Sequence, residues 1–221
     1  VVMEDLAYFT MDFRKDYSEP GKPPYQPTVA KYTDRYVLLI SSSKAFSYAG
    51  QRIGMSAVSN ALFNEEAEDL LRYYTRPHFG HSFVFGAAYA VSAGVTHSAQ
   101  YGLAAILKAV NDGSYRFRDD VIVYATRAAT MKSMFLENGF HIVYDTDVDV
   151  PIADGFYFTV AYPGMDGETL IEKFLYYGIS AISLSNTGST RLEGIRACVS
   201  LVADAQLPDL EARLKAFHAA Y

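Results

Sequence analysis

The sequence holds one cysteine, Cys198, among 221 residues, so no internal disulfide can form. That scarcity suits a reducing, cytoplasmic setting. A basic excess is lacking too. With 25 acidic and 19 basic residues the formal net charge is −6, and no Lys/Arg run offers a stripe to neutralise nucleic-acid phosphates. No nucleic-acid partner is expected. The longest segment free of Asp, Glu, Lys and Arg, from Pro77 to Leu107, is broken by His78, His81, Ser82, His97, Gln100 and several glycines. A membrane helix needs a more uniform apolar stretch of about 20 residues, so no membrane partner is expected. Glu4 and Asp5 interrupt what would be the apolar region of a secretory leader. Val1-Val2-Met3 therefore reads as a buried strand entered without a leader, as in a truncated chain. Internal repeats and low-complexity tracts are absent as well.

Metal-binding patterns fail on inspection. Asp145, Asp147 and Asp149 are spaced like the opening of a calcium loop, but Val150 stands where that loop needs glycine and Phe156 where it needs glutamate. A solvated acidic turn before Pro151 is expected instead. His78 and His81 have the spacing of a ligand pair with no cysteine or carboxylate to complete a set, so turn or packing roles are expected. Cys198 sits in an apolar strand and is expected to be inert.

Half of the residues are hydrophobic and a fifth are charged, the balance of a well-packed globule. Strand-like runs are Val1–Met3, Tyr36–Ile40, Ile53–Val58, Phe140–Tyr144, Phe156–Ala161, Ser180–Leu184 and Ile195–Leu201. Helical patterns are Glu65–Tyr74, Ala99–Val110, Asp119–Asn138, Gly167–Tyr177 and Asp209–Ala219. Gly139 and Gly178 are the expected stops of the third and fourth helices. Strands alternating with helices predict an α/β fold. The turn cluster Asn111-Asp112-Gly113-Ser114 is the expected boundary between a domain of residues 1–113 and a smaller α/β domain of residues 114–221.

The chemistry concentrates just after the apolar run Tyr36–Ile40, in the stretch from Ser41 to Gly54. Polar groups there emerge at the C-terminal end of a strand, where open α/β sheets bind ligands. Lys44 stands among hydroxyls and small residues, with no acidic neighbour in sequence to pair with. A lysine in that setting can be desolvated and become a nucleophile toward a carbonyl. Ser41, three residues before it, and Arg52, eight after it, could together receive a phosphate, the guanidinium clamping it in two-pronged fashion.

Ser41-Ser42-Ser43-Lys44-Ala45-Phe46, followed by Gly50-Gln51-Arg52-Ile53-Gly54, resembles the cofactor-lysine signature of class I and II pyridoxal-phosphate-dependent aminotransferases. In that signature a Ser-x-x-Lys precedes an aromatic, a Gly-x-Arg and a further Gly. Upstream, Asp5-Leu6-Ala7-Tyr8 resembles the family's Asp-x-x-Tyr. Downstream, Gly94–Ala104 resembles the segment leading into the helix after the cofactor strand. Gly194-Ile195-Arg196-Ala197-Cys198 resembles the small-domain strand whose arginine grips the substrate's α-carboxylate.

The resemblance implies the C-terminal part of the aminotransferase large-domain sheet plus a smaller C-terminal α/β domain. It implies pyridoxal 5′-phosphate as cofactor, bound as a Schiff base on Lys44, which is also the catalytic residue. Ser41 and Arg52 would hold the phosphate, Asp5 the pyridine nitrogen and Tyr8 the phenolic oxygen, with Ser43 also binding the cofactor. Arg196 would bind the carboxylate of amino acid and 2-oxo acid substrates, with Arg191 as its competitor unless Glu193 pairs with it. A homodimer is implied, and Arg76 could reach a neighbouring subunit. The family's earlier elements (the helix start that meets the phosphate, the stacking aromatic and the asparagine near the phenolic oxygen) have no counterpart in this sequence, so the chain alone is expected to be inactive. A carbon–sulfur lyase and the effector domain of a transcriptional regulator stay open beside the transaminase.

Overall fold

A computed structural model describes residues 1–17, 19–153 and 155–221. The chain forms two compact units, residues 1–10 with 15–118, and residues 11–14 with 119–221.

The first unit is built on a three-stranded sheet of β1 (Val2–Leu6), β2 (Tyr36–Ser41) and β3 (Gly54–Val58), in the order β1-β2-β3. β1 runs parallel to β2, with Asp5 beside Leu39 and Leu6 beside Ile40. β3 returns antiparallel, placing Gly54 beside Ser41. A four-residue helix, α1 (Ser42–Ala45), begins directly where β2 ends. α2 (Asn60–Phe63) follows β3, its first turn capped by the Ser59 hydroxyl, which accepts from Leu62 N at 3.2 Å.

Two expectations fail in this unit. Val1–Met3 is not buried: Val2 is 44% and Met3 61% exposed. β1 is the outer strand, hydrogen-bonded to β2 alone. Glu65–Tyr74 is not a helix either, but a single 3₁₀ turn over Glu68–Arg72. One of its amides and one of its carbonyls are drawn away by the next segment. Ala67 N donates to Pro77 O and Phe79 N to Glu65 O, so the stretch closes on itself before a helix can propagate. The helix forms further on, as α3 (Phe79–His81), a π-helical stretch over Ser82–Ala88 and α4 (Tyr89–Ser92). α5 (His97–Asn111) then ends at the Asp112–Ser114 turn, where Asp112 accepts from Ser114 N at 3.0 Å.

The division between units falls inside α6 (Phe117–Glu137), not at that turn. Phe117 meets Phe46 edge to face at 5.5 Å and Arg118 donates to Lys15 O, so the start of the helix stays with the first unit.

The second unit is a four-stranded antiparallel sheet in the order β4-β7-β9-β8, formed by β4 (His141–Ile142), β7 (Tyr157–Ala161), β9 (Ile195–Cys198) and β8 (Ile182–Ser183). A small hairpin of β5 (Thr146–Asp147) and β6 (Val150–Pro151) carries the acidic turn, which is exposed. α7 (Gly167–Tyr176) and α8 (Leu207–Ala220) complete the unit. Gly139 and Gly178 follow α6 and α7 with φ of 84° and 68°, the left-handed conformation expected of helix stops.

Strand alternation sends Phe158 and Val160 to the core and leaves Tyr157 and Thr159 on the opposite face. The core side is aromatic. Phe140 lies 5.1 Å from Phe135, 4.8 Å from Tyr162, 5.6 Å from Phe174 and 5.8 Å from Phe217, ring centre to ring centre. Phe174 and Phe217 are fully buried.

Truncating such a ring loses its transfer free energy and leaves a cavity, so Phe217→Ala should cost about 3–5 kcal/mol, read as a fall in the denaturant midpoint. α7 supplies a pH test. The Asp166 carboxylate caps it, accepting from Thr169 N at 2.8 Å, and Thr169 holds the carboxyl below the ordinary aspartate value. A depressed folded-state value means that this stabilisation is present above the unfolded value, about 3.9, and is lost as pH falls through the folded one. Asp166→Asn keeps a cap but cannot titrate. Its unfolding midpoint should therefore decline less steeply in acid than that of the wild type.

Candidate active site

The parallel pairing of β1 and β2 brings the end of one strand beside the end of the other. A surface cavity of about 370 Å³ opens there, lined by Asp5, Ser41, Ser43, Arg52 and Gly54 together with Leu39, Ile40, Ile53, Met55 and Ser56. All of these belong to the first unit.

Each polar group is placed by local chemistry. Asp5 is the last residue but one of β1, and its Oδ1 accepts from Ala7 N at 3.0 Å, which fixes the carboxylate near the strand end. Ser41 is the N-cap of α1, its hydroxyl oxygen accepting from Ser43 N at 3.1 Å. That bond uses a lone pair and leaves the hydroxyl proton available for a ligand. Arg52 is held in the left-handed region at φ 53°, and its Nη1 donates to Ala49 O at 2.9 Å. A non-glycine residue there is strained, and such strain collects at functional sites. Most of the guanidinium donors remain outward, and no carboxylate pairs with Arg52 among the described residues.

Lys44 occupies the last turn of α1 and is half-buried. No carboxylate pairs with it among the described residues. It does not line the cavity, and neither does Tyr8, which is 43% exposed. The structure thus gathers Asp5, Ser41, Ser43 and Arg52 into one lining and sets Lys44 on the adjoining turn. Gly54 owes its identity to β2. A Cβ there would lie 2.9 Å from Ile40 O, so the close pairing of β3 admits no side chain.

The second unit holds Arg196, on β9 opposite Thr159 of β7. Its rival Arg191 faces Glu193 at 3.4 Å, whereas no carboxylate pairs with Arg196 among the described residues. His78 meets Glu66 at 3.1 Å and His81 meets Thr75 at 3.3 Å. Among the described residues no group of three or more His, Cys, Asp or Glu could hold a metal ion. No helix among them is long and apolar enough to cross a membrane.

One residue of this region escaped the sequence reading. Ser42 is fully buried between two half-buried serines, and its hydroxyl donates to Ile53 O, tying α1 to the arm that carries Arg52. A run of three serines gives no signal as to which one faces inward.

No protein-family model and no curated protein matches the sequence. Solved structures do match in shape. An aminotransferase from Staphylococcus aureus superposes with a TM-score of 0.66 at 19% identity, over 99% of this chain and 50% of that one. An aspartate aminotransferase tetra mutant of Thermus thermophilus gives 0.67 at 14% identity, over 97% of this chain and 50% of that one. The Thermus thermophilus α-aminoadipate aminotransferase, solved with N-(5′-phosphopyridoxyl)-L-leucine, gives 0.64 at 15% identity, over 100% of this chain and 51% of that one. The fold is that of the C-terminal part of a fold type I aminotransferase. The chain spans about half the length of these aminotransferases.

Within this aminotransferase fold, Ser42→Ala should leave Ile53 O without its buried donor and destabilise the first unit by about 1–3 kcal/mol. The amides of α1 and of Arg52 should then exchange faster with solvent, which hydrogen exchange can read residue by residue.

Proposed function

We propose that this chain is the C-terminal part of a pyridoxal-phosphate-dependent aminotransferase, which moves an amino group between an amino acid and a 2-oxo acid. The observation that carries this reading is the shared lining of Asp5, Ser41, Ser43 and Arg52 at the ends of a parallel strand pair, with a lysine on the next turn that no carboxylate among the described residues pairs with. A carboxylate acceptor together with hydroxyl and guanidinium donors suits a flat ring that bears a basic nitrogen and a phosphate. The residues present fit that cofactor.

When bound, the cofactor supplies an electron sink for the negative charge that develops at the substrate's α-carbon. The rest falls to the protein. Ser41, Ser43 and Arg52 hold the phosphate, the hydroxyls as point donors and the guanidinium as a fork. The Asp5 carboxylate keeps a proton on the pyridine nitrogen, and the Tyr8 hydroxyl donates to the phenolic oxygen. Lys44 would hold the cofactor's carbonyl carbon until the substrate's amine displaces it, and the lysine amine so freed would take the proton from the substrate's α-carbon. Arg196 orients the substrate carboxylate, its fork matching two oxygens.

The reading extends to a complete protein that is a cytoplasmic homodimer, the 221-residue chain alone being inactive. The exposed rings of Tyr73, Phe85, Tyr89 and Tyr101 in the first unit support an interface there.

The test is spectroscopic. Adding pyridoxal phosphate to the complete protein should produce a visible band that borohydride abolishes, leaving a near-ultraviolet band fixed onto Lys44 that survives denaturation. A Lys44→Ala variant that keeps the fixed band would overturn the assignment. Amino transfer that depends on an added 2-oxo acid separates the transaminase from a lyase, which would release pyruvate and ammonia without one.

A further inference from the structure

Several arginines of this chain pair with carboxylates or lie over aromatic rings, and Arg191 does both. Arg14, Arg35, Arg127 and Arg191 each face a carboxylate, those of Asp12, Glu65, Asp204 and Glu193. Arg196 has no such partner among the described residues. Instead its guanidinium carbon lies 4.1 Å from the centre of the Tyr157 ring. Strand register produces the contact. Arg196 pairs directly with Thr159 and Tyr157 with Cys198, so Tyr157 is the diagonal neighbour two residues along on the same face. An aromatic ring and a long side chain can meet across that diagonal. Phe158, between Tyr157 and Thr159 in sequence, points the other way into the core and anchors the strand.

The two kinds of partner differ in what they leave free. A carboxylate occupies the in-plane N–H donors of a guanidinium. A ring over its face holds the cation through the π system and occupies none of them. We infer that Tyr157 is a positioning residue, whose ring holds the Arg196 guanidinium in place with its donor edge open to a substrate carboxylate. This rests on the reading of Arg196 as the carboxylate holder. The ring fixes side-chain torsions that a solvated arginine would have to freeze on binding, and it keeps water from one face. The hydroxyl of Tyr157 has no part in it.

The experiment uses the complete, cofactor-loaded protein. The amino acid that serves best as donor is found first, and it is then compared with the primary amine obtained by removing its carboxylate. Tyr157→Leu should raise KM for the amino acid roughly three- to thirty-fold, the span of a cation–π contact, with little change in kcat or in KM for the amine. Tyr157→Phe should behave as the wild type. If Tyr157→Leu leaves KM for the amino acid unchanged, or raises KM for both donors alike, or if Tyr157→Phe behaves like Tyr157→Leu, the positioning role is overturned. Arg196→Ala separates the two levels of the argument. If it alters KM for the amino acid no more than for the amine, the carboxylate reading of Arg196 fails, and the role of Tyr157 falls with it. If Arg196→Ala is selective and Tyr157→Leu is not, the inference about Tyr157 alone fails.

Discussion

The parallel ladder between β1 and β2 is the constraint on which the first unit depends. Parallel pairing makes both strands end on the same side, so Asp5 and Ser41, 36 residues apart in the chain, arrive at one edge of the sheet. An antiparallel pair would have put the two at opposite ends. The turn into α1 then follows from Ser41 itself, whose hydroxyl replaces a backbone acceptor at the first turn. The antiparallel return of β3 brings Arg52 and Ile53 back beside that turn, and the buried Ser42 hydroxyl fastens the two arms together. The cavity is thus a consequence of strand direction, one cap and one buried hydrogen bond.

The second unit solves a different problem with the same alphabet. Its sheet is two-faced, and the alternation Phe156-Tyr157-Phe158-Thr159-Val160 divides the labour. Phe158 and Val160 join a core of rings from α6, α7 and α8, where burial of apolar area supplies the stability. Tyr157 and Thr159 share the opposite face with Arg196. That face carries little of the packing, so its side chains are free to be chosen for chemistry. A charged residue at Ile195 or Ala197 would be expelled from the core, whereas position 196 tolerates a guanidinium because strand alternation turns it outward.

Much of this was legible in the sequence. The alternating strands and helices placed β2, β3, β7, β9, α5, α6, α7 and α8 within a few residues of their observed limits. The spacing from Ser41 to Gly54 marked the segment that the structure folds into a cavity wall. What stayed illegible has local causes. The pattern of Glu65–Tyr74 is helical in period, but the Ala67 amide donates to Pro77 O and the Glu65 carbonyl accepts from Phe79 N, and no window of sequence shows that competition. The π-helical stretch from Ser82 to Ala88 is rich in aromatic and small residues that suit no simple period. At Gly86 a Cβ would lie 2.0 Å from the Tyr74 ring, a contact that only the folded chain reveals. The exposure of β1 is a property of the sheet's edge and not of the apolar residues Val2 and Met3 themselves.

Arg196 and Arg191 show how far residue type can go without geometry. Both are arginines near a strand of the second unit, and both lie over a tyrosine ring, Arg191 over Tyr144 at 5.1 Å and Arg196 over Tyr157 at 4.1 Å. The difference is the carboxylate. Glu193 lies beside Arg191 in sequence and engages it in the fold, which leaves that guanidinium partly satisfied at the surface. Arg196 is half-buried, stacked and, among the described residues, without a carboxylate, so its desolvation is offset only in part by the ring. A group left in that condition gains more from an incoming anion than one already paired. Of the two arginines, Arg196 is therefore the one whose surroundings favour binding over packing.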